Sequence, residues 1–177
     1  MRQNSALHRL TPIMLALTLS PALLSACRTS ADAGQTPRTG SGAPARLSMS
    51  ATDFVDTDAS GFRDAARVVV YVFSEDSVLP LRARGTLDLR LVDRREQELA
   101  RWRFGPDDLE SRAAVLPPGP AFVLDISLES AGVSERLDVR EGELVCVFRA
   151  AGSGDVIGAR TSSAVRIGPV GRATDRR

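Results

Sequence analysis

The chain contains no lysine; all 23 of its basic residues are arginine. Schiff-base chemistry, Ser-Lys dyads and Walker-type phosphate loops need a lysine and are excluded. Histidine is almost as scarce. The single one, His8, lies in a segment expected to be removed, so the mature protein has no imidazole for a Ser-His-Asp or Cys-His centre or a His-ligated zinc or haem. Aromatics are few, at 5%. From residue 28 onward 21 arginines face 22 acids, so no basic footprint marks a nucleic-acid partner. Only two cysteines occur, Cys27 and Cys146.

What is present is sharpest at the N-terminus. Residues 1–12 carry Arg2 and Arg9 and no acid; residues 13–24, IMLALTLSPALL, form an apolar run of 12. That length suits a signal-peptide core and is too short for a membrane-spanning helix, which needs about 20 residues. The run ends in Leu24-Ser25-Ala26-Cys27.

This ending resembles the lipobox of bacterial lipoproteins, in which the cysteine becomes the first residue and is lipidated. The resemblance implies cleavage before Cys27 and a thioether-linked diacylglycerol on its thiol, with the small Ala26 giving the peptidase access to the bond. Two or three acyl chains anchor stably where one is marginal, at about 0.8 kcal/mol per buried methylene. Arg28 stands where an aspartate in that family favours inner-membrane retention, which implies a cell-envelope location with the outer membrane favoured in an organism that has one.

Residues 28–51 contain 17 Ser, Thr, Ala, Gly or Pro out of 24 and no aromatic. Such a stretch buries too little apolar surface to offset its ordering entropy and reads as a flexible tether. All eight aromatics lie between Phe54 and Phe148. The expected organisation is a signal peptide over 1–26, a lipidated N-terminus and tether over 27–46, a folded domain over 47–168 and a flexible tail over 169–177.

Within the domain, period-2 alternation dominates. Leu47, Met49 and Ala51 begin a weak first strand. Residues 66–74 are apolar on both faces, which suits a central strand buried on both sides or one face turned to a partner. Leu87, Leu89 and Leu91 alternate with Asp88 and Arg90; after a charged turn at 93–97, Ala100, Trp102 and Phe104 alternate with Arg101 and Arg103. Gly105 to Glu110 reads as one helical turn. A breaker at Pro117 to Pro120 precedes Phe122, Leu124, Ile126 and Leu128. Leu137 and Val139 begin a further strand, interrupted at Glu141-Gly142, before Leu144, Cys146 and Phe148. Gly152 to Asp155 reads as a hairpin turn and the last strand falls within 156–167. About seven short strands with frequent turn signals predict an all-β, antiparallel β-sandwich. The pattern resembles immunoglobulin-like domains in architecture, with Trp102 as an inter-sheet core residue and without their paired cysteines. It is also similar to lipoproteins of GC-rich bacteria whose function is uncharacterised.

Candidate chemistry is sparse. Asp56, Asp58, Ser60 and Asp64 follow D-x-D-x-S-G-x-x-D, the front of a calcium loop, with Gly61 at its turn. Arg67 occupies the place of the final bidentate acid, so a calcium site here would be weak; the other reading is a loop that uses these residues for turn geometry. Cys146, between Val145 and Val147, reads as a buried structural thiol. Asp107, Asp108, Glu110, Glu141 and Glu143 are the carboxylates available for hydrolysis, and Arg101 and Arg103, with Arg94 and Arg95, for anion binding. The sequence thus favours a non-enzymatic, lipid-anchored binding or structural module of unknown ligand, without a cofactor beyond its diacylglycerol, with an envelope protein or glycan as its partner. A calcium-dependent adhesion module on the 56–64 loop is the alternative, and a carboxylate-based hydrolase a distant third.

Overall fold

The computed structural model describes residues 39–134, 136–152 and 156–171. They form two four-stranded antiparallel sheets and one two-stranded pair. In chain order the elements are β1 (Arg46–Ala51), β2 (Phe62–Arg63), β3 (Ala65–Phe73), β4 (Gly85–Val92), β5 (Glu98–Phe104), α1 (Pro106–Ser111), β6 (Ala113–Leu116), β7 (Gly119–Ser127), a 3₁₀ turn (Glu129–Ala131), β8 (Glu141–Ala150), β9 (Val156–Arg166) and β10 (Gly168–Pro169). The first sheet has the order β1-β3-β7-β6, the second β5-β4-β8-β9, and β10 pairs with β2. The all-β, antiparallel architecture expected from the alternation is what the chain adopts, with eight longer strands in place of about seven.

The inner faces follow the alternating side chains. Val68, Val70 and Val72 of β3 and Phe122, Leu124 and Ile126 of β7 are buried, as are Leu87, Leu89 and Leu91 of β4 and Leu144, Cys146 and Phe148 of β8. One contiguous core results. Phe122 and Phe148, from different sheets, stack with ring centroids 6.3 Å apart, a favoured aromatic separation. Gly85 makes room for this packing: a Cβ there would sit 2.5 Å from the Phe148 ring and 2.2 Å from the Arg149 carbonyl oxygen.

The sheets are tied at two places. Trp102 on β5 is buried, and its indole N–H donates to the Ser127 carbonyl at the end of β7 (2.9 Å) and to Ser130 Oγ (3.1 Å). It thus fills the inter-sheet position expected of it, with its polar atom satisfied. Beyond β1, the Phe54 N–H donates to the Arg166 carbonyl (3.0 Å), and the Arg166 N–H donates to Asp53 Oδ1 (3.1 Å).

Several local expectations are corrected. β3 is the central strand expected, between β1 and β7, but of the two arrangements expected for it burial on both sides is not the one found: Val69, Tyr71 and Phe73 on its second face are half-exposed. Residues 113–116 form a strand, β6, that the sequence reading left unassigned. Leu137 and Val139 lie outside any strand, and Glu141-Gly142 opens β8 instead of interrupting it. Gly168, at φ +69°, packs against 137–139. A Cβ there would stand 2.2 Å from the Val139 carbonyl oxygen, so the backbones of the two segments lie against each other.

The domain boundaries also shift. Backbone engagement begins by Gly40, whose N–H donates to the Pro80 carbonyl (2.9 Å), ahead of the expected start at 47. At the other end Pro169 pairs with Phe62, and the Val170 N–H donates to the Gly61 carbonyl (2.8 Å), so these residues belong to the folded part and not to a tail beginning at 169. The turn expected over 152–155 lies outside the described residues except for Gly152.

Candidate functional site

Leu24, Ser25, Ala26 and Cys27 lie outside the described residues. The other candidates can be placed.

The 56–64 loop is closed at its base by the Val55–Ala65 bridge, where the Val55 N–H donates to the Ala65 carbonyl (2.8 Å). Its turn runs through left-handed backbone at Ala59 (φ 61°) and Gly61 (φ 88°). The carboxylates are engaged with the loop itself. Asp56 accepts from the Ser60 and Gly61 amides at 3.1 and 2.9 Å, and Asp58 from the Ser60 amide at 2.9 Å. Asp64 accepts from the Thr57 amide (3.0 Å) and hydroxyl (2.7 Å). Ser60 Oγ accepts from the Phe62 amide at 3.3 Å. The Ser60 amide bond holds the Asp58 carboxyl below the ordinary aspartate range. The Asp58 bond is an Asx turn, and the Asp56 and Asp64 bonds span the loop, so that these side chains order its backbone. Among the described residues no three His, Cys, Asp or Glu side chains gather as a metal-ligating group.

Cys146 is fully buried on β8, in register with Leu89 of β4 and Ala159 of β9. Burial pushes its thiol up to about 12, so it stays protonated at neutral pH, as an inert core side chain does.

Four of the candidate carboxylates, Asp107, Asp108, Glu110 and Glu141, sit in separate ion pairs and caps. Asp108 accepts from the Gly105 amide (2.9 Å) and so caps α1. Asp107 pairs with Arg84 and Glu110 with Arg82, each at 3.2 Å, and Glu141 pairs with Arg94. Of the candidate arginines, Arg94 is engaged by Glu141 and Arg101 and Arg103 by Asp88. Arg101 grips Asp88 with two nitrogens, Nε at 2.8 Å, and Arg103 stands 3.9 Å away. The Arg101 guanidinium holds the Asp88 carboxyl below its usual range and is itself raised by the bond. Antiparallel register creates this cluster, since Asp88 faces Arg103 and Arg90 faces Arg101 across β4 and β5.

Sequence reading missed an apolar opening among the described residues. It is a groove of about 290 Å³ on the β6 side of the first sheet. Val70 and Val72 of β3, Phe122 of β7, Ala113 and Val115 of β6, and Leu81 form its apolar walls; Arg82 and Thr39 stand on its margin. Val115 is 61% exposed at the lip. The wall at Leu81 is held by its N–H bonding to the Val72 carbonyl (2.8 Å) and by a turn in which Ser77 Oγ accepts from the Leu79 amide (3.1 Å). Gly40 packs so tightly on that turn that a Cβ would lie 2.3 Å from the Leu79 carbonyl oxygen, which fixes Thr39 beside the groove. No signal in the sequence points to this opening, because its walls come from segments far apart in the chain. Comparison with protein-family models, with curated proteins and with solved structures finds no match for this chain.

Proposed function

We propose that the chain is a lipid-anchored cell-envelope protein whose β domain serves as a non-catalytic binding or structural module. The observation that carries this reading is the sequence Leu24-Ser25-Ala26-Cys27 at the end of a 12-residue apolar run, followed by a stretch rich in small and polar residues. Diacylglycerol on Cys27 supplies the membrane attachment, and the outer membrane is the favoured location. An immunoglobulin-like arrangement of the domain is supported by the strand order. β1-β3-β7-β6 against β5-β4-β8-β9 corresponds to the A-B-E-D and C′-C-F-G order of that architecture. Such sandwiches present loops and sheet faces to partners, here an envelope protein or glycan. A non-catalytic role is supported by the absence of lysine and of any histidine after His8.

The test is the intact mass of protein recovered from membranes, beside a Cys27→Ser form. The expected result is a mass beginning at Cys27 plus diacylglycerol, absent from the variant. An unlipidated or uncleaved mass from the unaltered chain overturns the anchor and the envelope location with it.

A further inference from the structure

We infer that the groove beside β6 is a binding site for one single-chain anionic amphiphile of the fatty-acid class. This rests on the lipid-anchored reading only for placing the groove next to a bilayer.

Three observations commit it to that occupant. The walls are aliphatic or aromatic: Val70, Val72, Leu81, Phe122 and Val115 offer no hydrogen-bonding side chain, so a polar peptide or sugar entering here loses water bonds without replacement. The volume of about 290 Å³ lies at the lower end of small-molecule sites. An opening of that size suits one acyl chain of medium length. The charge lies at the margin, where an acyl carboxylate would emerge. The Arg82 side chain is 70% exposed there, and its pair with Glu110 at 3.2 Å is of the exposed kind that a competing carboxylate displaces readily.

Position adds a fourth argument. Thr39 is on the groove margin, and only residues 28–38 separate it from Cys27. Eleven residues reach at most about 40 Å even fully extended. An anchored domain therefore keeps the groove within that distance of a membrane, where free acyl chains concentrate.

The experiment uses the membrane-derived full-length product returned to vesicles, exposed to a decanoate bearing a photoreactive diazirine, and read by intact mass and peptide mapping. The expected result is one label per chain, saturable, competed by unlabelled decanoate, and mapped to the peptides holding Leu81, Val115 and Phe122. Arg82→Glu, a change at an exposed position, should lower labelling several-fold; Ala113→Leu, which fills the groove, should abolish it. Non-saturable labelling, labelling mapped elsewhere, or labelling indifferent to Arg82→Glu overturns the inference. So does labelling that vanishes as protein concentration rises, which assigns the groove to a second copy of the chain. The same mass separates the two readings. Label without diacylglycerol defeats the anchor alone; diacylglycerol without label defeats the groove alone.

Discussion

The two four-stranded sheets bury similar side chains and expose different ones. On the outside of the second sheet, Asp88 and Arg90 alternate with the buried leucines of β4, and Arg101 and Arg103 with Ala100, Trp102 and Phe104 of β5. On the outside of the first, the same register places Val69, Tyr71 and Phe73 of β3 beside Val123 of β7, all half-exposed. Arg46 covers part of this surface, its guanidinium 5.8 Å from the Phe73 ring centroid, and the Tyr71 hydroxyl donates to the Pro117 carbonyl at 3.1 Å. Ion pairs stand on both outer faces, Arg101 with Asp88 on the second sheet and Arg67 with Asp125 (2.7 Å) on the first, and Val145 and Val147 of β8 are half-exposed on the second; what sets the first apart is its pair of aromatic rings, Tyr71 and Phe73, among the valines. The lesson is that the inner pattern sets the fold, while the outer pattern is free to vary with what each face meets.

The strongest way to break the comparison is to remove what the sheets share. Phe148→Ala deletes a fully buried ring stacked on Phe122, and a loss of about 3–5 kcal/mol in urea unfolding is expected. A loss below 1 kcal/mol would mean that the sheets do not pack through this pair. Trp102→Phe keeps most of the buried ring and removes the indole N–H that joins β5 to Ser127. The expected loss is smaller, about 1 kcal/mol, with the Ser127 and Ser130 amides exchanging faster with solvent. Asp88→Asn sharpens the contrast between the outer faces and has the smallest effect. The Asp88 carboxyl is held below its usual range by Arg101, so its contribution is present above the unfolded aspartate value, about 3.9. It is lost as pH falls through the lower folded value. The variant should therefore melt below the parent at pH 7 and converge on it toward pH 2. A gap that persists unchanged in acid would assign the loss to packing.

The sequence made β4 and β5 of the second sheet legible because these strands have one buried and one polar face. Leu87 to Leu91 and Ala100 to Phe104 announce their register by alternation alone. β6 was hidden since Ala113, Ala114, Val115 and Leu116 do not alternate; the strand exists through its pairing with β7, in which Ala113 faces Phe122. Leu137 and Val139 gave the opposite error. Their spacing imitates a strand, but they are half-buried irregular chain against which Gly168 packs. The acidic loop was legible as a turn, and its amide bonds are of the kind its composition allows. The groove was not legible at all, since no local pattern encodes the gap among β3, β6 and the segment at Leu81. Leu24 to Cys27 lie outside the described residues, so their resemblance to a lipobox is read from the sequence.

The attachment at Gly40 has a mechanical consequence. Load entering the folded part at Thr39 meets the Gly40–Pro80 bond first, then Ala45–Phe73, then the rungs of β1 on β3 from Arg46–Phe73 to Ala51–Val68. Because ladder bonds run across the strands, a pull perpendicular to β1 opens them singly, like a zipper. A pull along β1 loads them together in shear. The resistance of the domain to tearing therefore depends on the direction of the pull as well as its size.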